Sequence, residues 1–591
     1  MKIKEIDNRY VAVKKGEERE VITNFCFKIK KDTVYAYPGK NCEHFYTIIG
    51  VNSNGEKLNE IKVSACEYEK MTWESQWGTK EIVLNKSVFR NQIRIMGLKD
   101  GSIEHETKYM YLGYIGTDET SKEVCYVDNG GLISRDIYDP TIKSELYGKL
   151  ANYSLPKPIK NTKKLKQCIR KVLNLRNIAP ANHDIKILIM ANPIRPLISV
   201  FLPVTCSHFI VGETGARKSA LAALIQSFHG PKFSHQTQLP AEWEDTENAL
   251  EEMTIMIRNA SLVVDEYTAT TSNEKKLSDK AERVFRGSAN QSSRKRSNTD
   301  GSLQNKANPA AMVLATGESV PKLVTESLLR RIIFFSVNKD DIDPTRLTEA
   351  QALARDGVLA EFSSSLIQCL LQRYDCLKNK LPVIFDDYRQ RAANELPKEI
   401  HPRQCENIAS LMVSIEVLFW FANRHNAITV EKKGKLLRIY WNKLKQLAIK
   451  QTSITKDASM PGLFFKYLKQ GLENGKIYLK DYETGDTPNI KEAAKVGWIE
   501  GKSQGQCVGW YDKKTDRFFI KSSVEIFQVL RNLIPEGFQH LVPQEEKDFW
   551  KKIKQSGGLS VTGRERNKVR KTEPVTKKEV LVYVLALGLN T

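Results

Sequence analysis

One stretch limits what this chain can fold into: Ser207 to Gly230, SHFIVGETGARKSALAALIQSFHG. An apolar run, His208 to Val211, enters a glycine-containing turn, and Lys218-Ser219 opens a helical pattern that stops at Gly230. Strand, loop and helix in that order aim backbone N–H groups and a helix N-terminus at one point, the layout that holds a polyphosphate. Gly212, Glu213, Thr214, Gly215, Ala216 and Arg217 form the loop, and its glycines let it curl close to the phosphates. Lys218 is placed to reach the β and γ oxygens of ATP, and the Ser219 hydroxyl to hold Mg²⁺. One position departs from G-x-x-x-x-G-K-[ST]: Arg217 stands where the second glycine is usual. A chance glycine-rich turn has the same local look, so the rest of the chain decides.

Downstream of the loop, helical and apolar stretches alternate. Trp243 to Arg258 is a helical stretch, and Ser261 to Glu266 is an apolar strand ending in Asp265-Glu266. Such a strand carries Asp265 to a sheet edge where it orders the Mg²⁺ shell, and Glu266 beside it polarises an attacking water. Ala311 to Thr316 reads as a third buried strand, after which Thr316 or Glu318 positions that water; the sequence leaves the choice between them open. Arg330 and Arg331 close a short helix before the strand IIFF. An arginine there, at a subunit edge, completes a neighbour's γ-phosphate site; the plain alternative is a helix-terminal ion pair. Between the second and third strands, SSRKRSNTDGSLQNK reads as a hairpin turning at Asp300-Gly301. Its Arg294, Lys295, Arg296 and Lys306 suit contacts to nucleic-acid phosphates, or form an ordinary solvated basic loop.

The chain has 591 residues and a net charge of +21, enough length for three or four domains and enough charge to draw polyanions. MKIKEIDNRYVAV lacks the apolar core of a signal peptide. The longest apolar stretch, Ile408 to Ala422, is interrupted by Ser410, Ser414 and Glu416, too short and polar to span a bilayer. The ten cysteines show no C-x-x-C pairs, which argues against structural zinc and a disulfide framework and for reduced thiols in the cytoplasm. Residues 1–150 read as a β-rich domain, with runs such as FCFKIKKDTVYAY and KEIVLNKSVF and with Met71, Trp73 and Trp77 on one strand face. It is a scaffold or oligomerisation domain, or a grip on single-stranded nucleic acid. LPKPIKNTKKLKQ (155–167) is a connector into an ATPase core, 151–346; a helical lid spans 347–470, and 471–591 mixes helix and strand again. There CVGWYDKKTDRFFIK reads as a hairpin, and a helix ending at glycine precedes two strands with a long basic turn, as in a winged helix. Lys551 to Lys578 carries ten basic residues against two acidic ones.

The order GETGARKS, VVDE, ATGE, SLLRR and a helical lid resembles an AAA+ ATPase. The basic hairpin before ATGE, SLLRRIIFF and PRQCENIASLMVS resemble the pre-sensor-2-insert group that includes the MCM replicative helicases. The resemblance also extends to the Cch family of staphylococcal cassette chromosome elements, self-loading initiator helicases, with looser N-terminal support from MTWESQWG and YMYLGYIG. It implies an α/β AAA+ P-loop core with helical lid, a β-rich N-terminal domain and a C-terminal winged-helix domain. It implies a homo-hexamer using ATP and Mg²⁺ to move 3′-to-5′ on single-stranded and forked DNA, working with replication and single-strand-binding proteins of a mobile element. It places Arg331 at the trans arginine and Arg403 at the sensor 2 arginine. Three departures stand out: no room for a second long DNA hairpin before Asp265, no asparagine at sensor 1, and no N-terminal zinc ligands. Two other readings remain: an initiator whose nucleotide site only switches its DNA binding, and an AAA+ remodeller acting on protein.

Overall fold

The computed structural model describes residues 2–13, 19–39, 42–78, 102–116, 123–268, 274–292, 307–321, 325–457, 460–489, 493–534, 542–560 and 567–586, with residues 80, 83, 91 and 95. The expected hairpin residues Arg294, Lys295, Arg296 and Lys306 lie outside the described residues, as does most of KEIVLNKSVF.

The middle of the chain is built on five strands: β1 (Ser207–Val211), β2 (Ala241–Glu242), β3 (Ser261–Tyr267), β4 (Met312–Gly317) and β5 (Ile332–Ser336). They lie in the order β2-β3-β4-β1-β5, and every neighbouring pair is parallel. Parallel strands are covered on both faces, so they read as unbroken apolar runs; SLVV and IIFF are buried along their whole length. Register brings the carboxyl ends to one edge, with Val211 opposite Gly317 on one side and Ser336 on the other. Helix α1 (Lys218–Gln226) follows β1, and α2 (Glu247–Met256) connects β2 to β3. Helix α3 (Glu274–Asn290) leads from β3 towards β4.

After β5 the chain turns helical as expected, through α4 (Pro344–Arg355), α5 (Val358–Gln372), α6 (Tyr374–Glu395), α7 (Pro402–Arg424) and α8 (Val430–Asp457). Helix α7 is long and apolar enough to cross a membrane by composition, yet most of it is buried inside the protein, so it is a core helix. It helps close one large hydrophobic core running from Leu112 to Ala448.

The first 150 residues are divided between two cores. Tyr10, Phe25, Phe27, Ile48 and Trp73 fill one, under a four-stranded sheet of Lys57–Ser64, Glu43–Asn52, Phe25–Ala36 and Glu104–Tyr109. Leu112, Tyr114 and Tyr126 instead join the central core, and the Leu112 N–H donates to Met256 O at 3.0 Å. Met71, Trp73 and Trp77 do not share a strand face. Ser64 and Glu67 form a capping box that starts the helix Ala65–Lys70, Met71 ends it at φ 50°, and Trp77 closes the 3₁₀ turn Glu74–Trp77. The connector is also partly helical: Asn161 caps a helix over Thr162–Asn174.

A separate core from Met460 to Leu585 supports the C-terminal part. Its five-stranded sheet runs Ile477–Asp481, Gln506–Asp512, Arg517–Lys521, Glu579–Ala586, Val569–Thr572. The hairpin expected around Lys513-Lys514 is present, and so is a helix, Glu546–Gln555, before the antiparallel pair 569–572 and 579–586. That pair belongs to a sheet larger than the two strands anticipated, and Trp550 stacks on Tyr583 with ring centroids 3.9 Å apart.

Two histidines, His208 within β1 and His229 beside the central sheet, are fully buried with no acidic partner among the described residues. The Asn192 side chain meets His208 Nδ1 at 2.8 Å, and His229 Nε2 accepts the Ser261 N–H at 3.0 Å. Burial pushes both rings down to about 3, helped at His208 by the charge of Arg195. Unfolded, each titrates near 6.5. Below that pH the unfolded chain takes up protons that the folded chain refuses. Their stability contribution is therefore whole above pH ~6.5 and falls by about 1.4 kcal/mol per pH unit per histidine as pH drops towards 3. The expected result is that His229→Gln, which removes one of the two, makes the urea midpoint of the central core fall less steeply than wild type between pH 7 and pH 5. An unchanged pH slope refutes the assignment.

Candidate nucleotide site

The site forms where the strand ends converge. Val337 lies against the start of the loop: a Cβ on Gly212 would sit 2.1 Å from its carbonyl oxygen, so only glycine fits. Gly215 takes φ 84°, and Arg217 also adopts the left-handed region at φ 62°, ψ 28°. For a residue with a Cβ that conformation costs roughly 1–2 kcal/mol. The Arg217 guanidinium donates to the carbonyls of Lys339 (3.3 Å) and Ile342 (3.1 Å), which offsets the cost and fixes the turn. Arg217 thus occupies the glycine position with glycine's geometry. No side chain caps α1, so its first N–H groups face the cleft together with Lys218, whose Nζ donates to Glu213 O at 2.9 Å.

Across the cleft, β3 and β4 present the carboxylates. Their register slips between Val264 and Tyr267, and Glu266 sits in the bulge at φ 66°. The two adjacent acids point apart. Asp265 Oδ1 accepts from Ser219 Oγ at 3.1 Å and also from the Thr316 hydroxyl, while Glu266 is exposed. Thr316 Oγ1 in turn accepts the Glu266 N–H at 3.0 Å. One buried hydroxyl therefore positions both acids. Glu318 stands on the rim, where it accepts from the Thr214 hydroxyl. Of the two residues left open by the sequence, Thr316 is the one joined to Asp265 and Glu266.

The cleft encloses about 400 Å³ and is lined by the loop, Asp265, Glu266, Thr316 and Glu318. Gln236 and Thr268 also line it and carried no sequence signal of their own: each belongs to a polar stretch without periodicity. Ser219 Oγ and Asp265 offer hard oxygen donors side by side, which fits Mg²⁺. The loop N–H groups and Lys218 supply positive charge opposite, which fits the phosphates of ATP.

The remaining predicted residues gather elsewhere. Arg331 O accepts the Ser207 N–H at 2.8 Å, so Arg331 lies at the amino end of β1, whereas the loop leaves its carboxyl end. Five residues at ~3.3 Å each put roughly 15 Å between them. The Arg331 guanidinium donates to Ser327 O (2.9 Å), Ser327 Oγ (2.7 Å) and Asn290 Oδ1 (3.2 Å). Its pKa is lowered by burial, then by the charges of Arg403 and Arg286, so three cations gather here. Asn407 of α7 donates to Arg330 O at 3.0 Å, tying that helix to the same edge. Arg330, Arg331 and Arg403 are therefore remote from the cleft of their own chain.

No protein-family model matches the chain, and no curated protein matches it. Solved structures do. The chain superposes on an SCCmec type IV Cch protein, described as an active helicase, with a TM-score of 0.55 over 99% of this chain and 96% of that one, at 14% identity. It thus shares the fold of that protein along nearly its whole length. A second match, the apo C-terminal region of NrS-1, covers 66% of this chain and 87% of that one at 11% identity, with a TM-score of 0.26, too low to bear on the fold.

Thr316→Val keeps the shape of the buried side chain and removes the hydroxyl. Freed of their shared partner, Asp265 and Glu266 lose their mutual placement, and nucleotide hydrolysis is expected to fall at least tenfold with nucleotide affinity changed less than threefold. Steady-state kinetics and fluorescent-nucleotide titration check this; wild-type turnover in the variant rejects the role.

Proposed function

We propose that this protein is an ATP-dependent DNA helicase of the AAA+ class, working as a homo-hexameric ring that starts replication of a mobile genetic element. The observation that carries the proposal is the cleft itself. An open phosphate loop leads into Ser219, which is hydrogen-bonded to Asp265, and the backbone of the neighbouring Glu266 is held by Thr316. In this reading Lys218 and the loop N–H groups bind the phosphates, Ser219 and Asp265 hold Mg²⁺, and Glu266 takes a proton from the attacking water. The metal, when bound, neutralises charge on the phosphoryl oxygens. The strand order β2-β3-β4-β1-β5 and the helical region after β5 support the AAA+ assignment. The protein sharing the fold is described as an active helicase, which supports the activity.

The ring reading rests on the split of charges across the sheet. Arg331 and Arg403 are too far from their own cleft to touch a nucleotide there, but stacked subunits bring the amino edge of one sheet to the carboxyl edge of the next. Arg331, with Arg330 beside it, then completes the neighbour's γ-phosphate site, and Arg403 reads it as sensor 2. Arg294, Lys295, Arg296 and Lys306 line a central channel and grip DNA. The helix 546–555 and the strands after it serve as a winged-helix contact with DNA, supported by the basic surplus of that segment. A 3′-to-5′ direction and action on a mobile element rest on the family resemblance alone, and the cytoplasmic setting on the scattered, unpaired cysteines.

Lys218→Ala and Arg331→Ala are each expected to abolish ATP hydrolysis. Mixing the two should restore part of it, because an interface built from the intact loop of one variant and the intact arginine of the other is complete. Failure to regain activity in mixed assemblies of demonstrated size rejects the shared site. Separately, reversing charge at Arg294, Lys295 and Arg296 should impair unwinding of tailed duplexes far more than basal ATP hydrolysis; equal loss of both rejects the channel role. DNA-stimulated ATPase without unwinding of either 3′- or 5′-tailed substrates would favour the nucleotide-switched initiator instead.

A further inference from the structure

The loop that follows β5, residues 337–343, is held against the end of β1 and along the phosphate loop. The Val337 N–H donates to Val211 O at 2.9 Å, and the Val337 carbonyl lies against Gly212. Lys339 reaches back along the phosphate loop, its Nζ 3.5 Å from Glu213 Oε2. Arg217 holds the far end through the carbonyls of Lys339 and Ile342. Beyond Ile342 the strap has no slack. Asp343 caps α4 through the Arg346 N–H at 3.1 Å, and its own N–H donates to Ile178 O at 2.9 Å. Asp341 is also fixed, accepting from the Asn338 N–H at 2.7 Å and the Asn182 side chain at 2.8 Å.

Resting on the reading of the cleft as a nucleotide site, we propose that Arg217 is a positioning residue that transmits occupancy of the phosphate loop to this strap and so to α4, the first helix of the helical region. Its two halves do separate jobs. The backbone of Arg217 shapes the loop, and its guanidinium fastens the strap to the residue immediately before Lys218. When phosphates pull the loop N–H groups inward, the strap moves with them or is held more rigidly. A glycine at this position gives the same loop with no grip on the strap. This accounts for an arginine where the phosphate loop itself asks only for glycine. Coupling of the two sites shows as a change at 337–347 when nucleotide binds at 212–221.

Hydrogen exchange on the full chain, with and without Mg-ATP, separates the parts. In wild type, nucleotide should slow exchange both in 212–221 and in 337–347. Arg217→Gly keeps the left-handed backbone and removes the guanidinium. It should retain protection of 212–221, lose at least four-fifths of the protection of 337–347, and lower kcat at least fivefold while KM changes less than twofold. Arg217→Lys keeps the positive charge but ends one atom short of the guanidinium nitrogen that donates to both carbonyls, and should fall between the two. Wild-type protection of 337–347 in Arg217→Gly overturns the inference and leaves the nucleotide site standing. No effect of Mg-ATP on 212–221 in wild type overturns the nucleotide reading, and the inference falls with it. Should Arg217→Gly fail to fold, wild-type strap protection and kcat in Arg217→Lys overturn the proposal, and partial loss of both supports it.

Discussion

Strands β3 and β4 pair residue for residue from Ser261 opposite Met312 to Val264 opposite Ala315, and then the pairing slips by one. Side chains on a strand alternate between faces, so the two adjacent acids point apart, and the slip falls at the left-handed Glu266. Asp265 stays with Ser219 at the mouth of the loop, and Glu266 turns to the open side. The left-handed backbone at Glu266 persists because Thr316, itself in the buried strand next door, takes the Glu266 N–H and gives its own proton to Asp265. The placement of both acids depends on that hydroxyl sitting in a sheet too well packed to yield.

The same sheet imposes a second constraint. A parallel sheet has two unlike edges. The carboxyl edge offers loops and helix N-termini to an anion, while the amino edge here gathers Arg331, Arg403 and Arg286. A strand is rigid along its axis, so no local movement brings one edge to the other. The cations of one chain can meet a phosphate loop only where that loop belongs to another chain, and that is the geometric basis of the proposed ring. Among the described residues, the Ser327 and Asn290 contacts that hold the Arg331 guanidinium come from uncharged groups.

Much of the site was legible because its signals are local. The phosphate loop, the apolar strand ending in Asp265-Glu266 and the strand ending at Thr316 are contiguous motifs whose residues do their work within a few positions of each other. Where the sequence misled, the evidence was local but ambiguous. Met71, Trp73 and Trp77 have a strand's spacing, yet the capping box of Ser64 and Glu67 upstream marks a helix start, and it outweighs the spacing. Gln236 and Thr268 could not be seen at all, since they reach the cleft through loop paths that no periodicity encodes. The choice between Thr316 and Glu318 likewise needed to know which side chain turns inward.

By itself the sequence determined the strand, glycine-containing turn and helix of residues 207–230, the order of strands and helices around them, and the surplus of positive charge, because backbone propensity and contiguous patterning are properties of short stretches. Only the tertiary structure decided that Thr316 joins the two acids, that the arginines lie on the far edge from their own cleft, and that Arg217 copies glycine's geometry while gripping residues 339 and 342. Each of these relates residues fifty or more positions apart, or turns on a one-residue register, and such relations exist only once the sheet has closed and its packing has chosen among local alternatives.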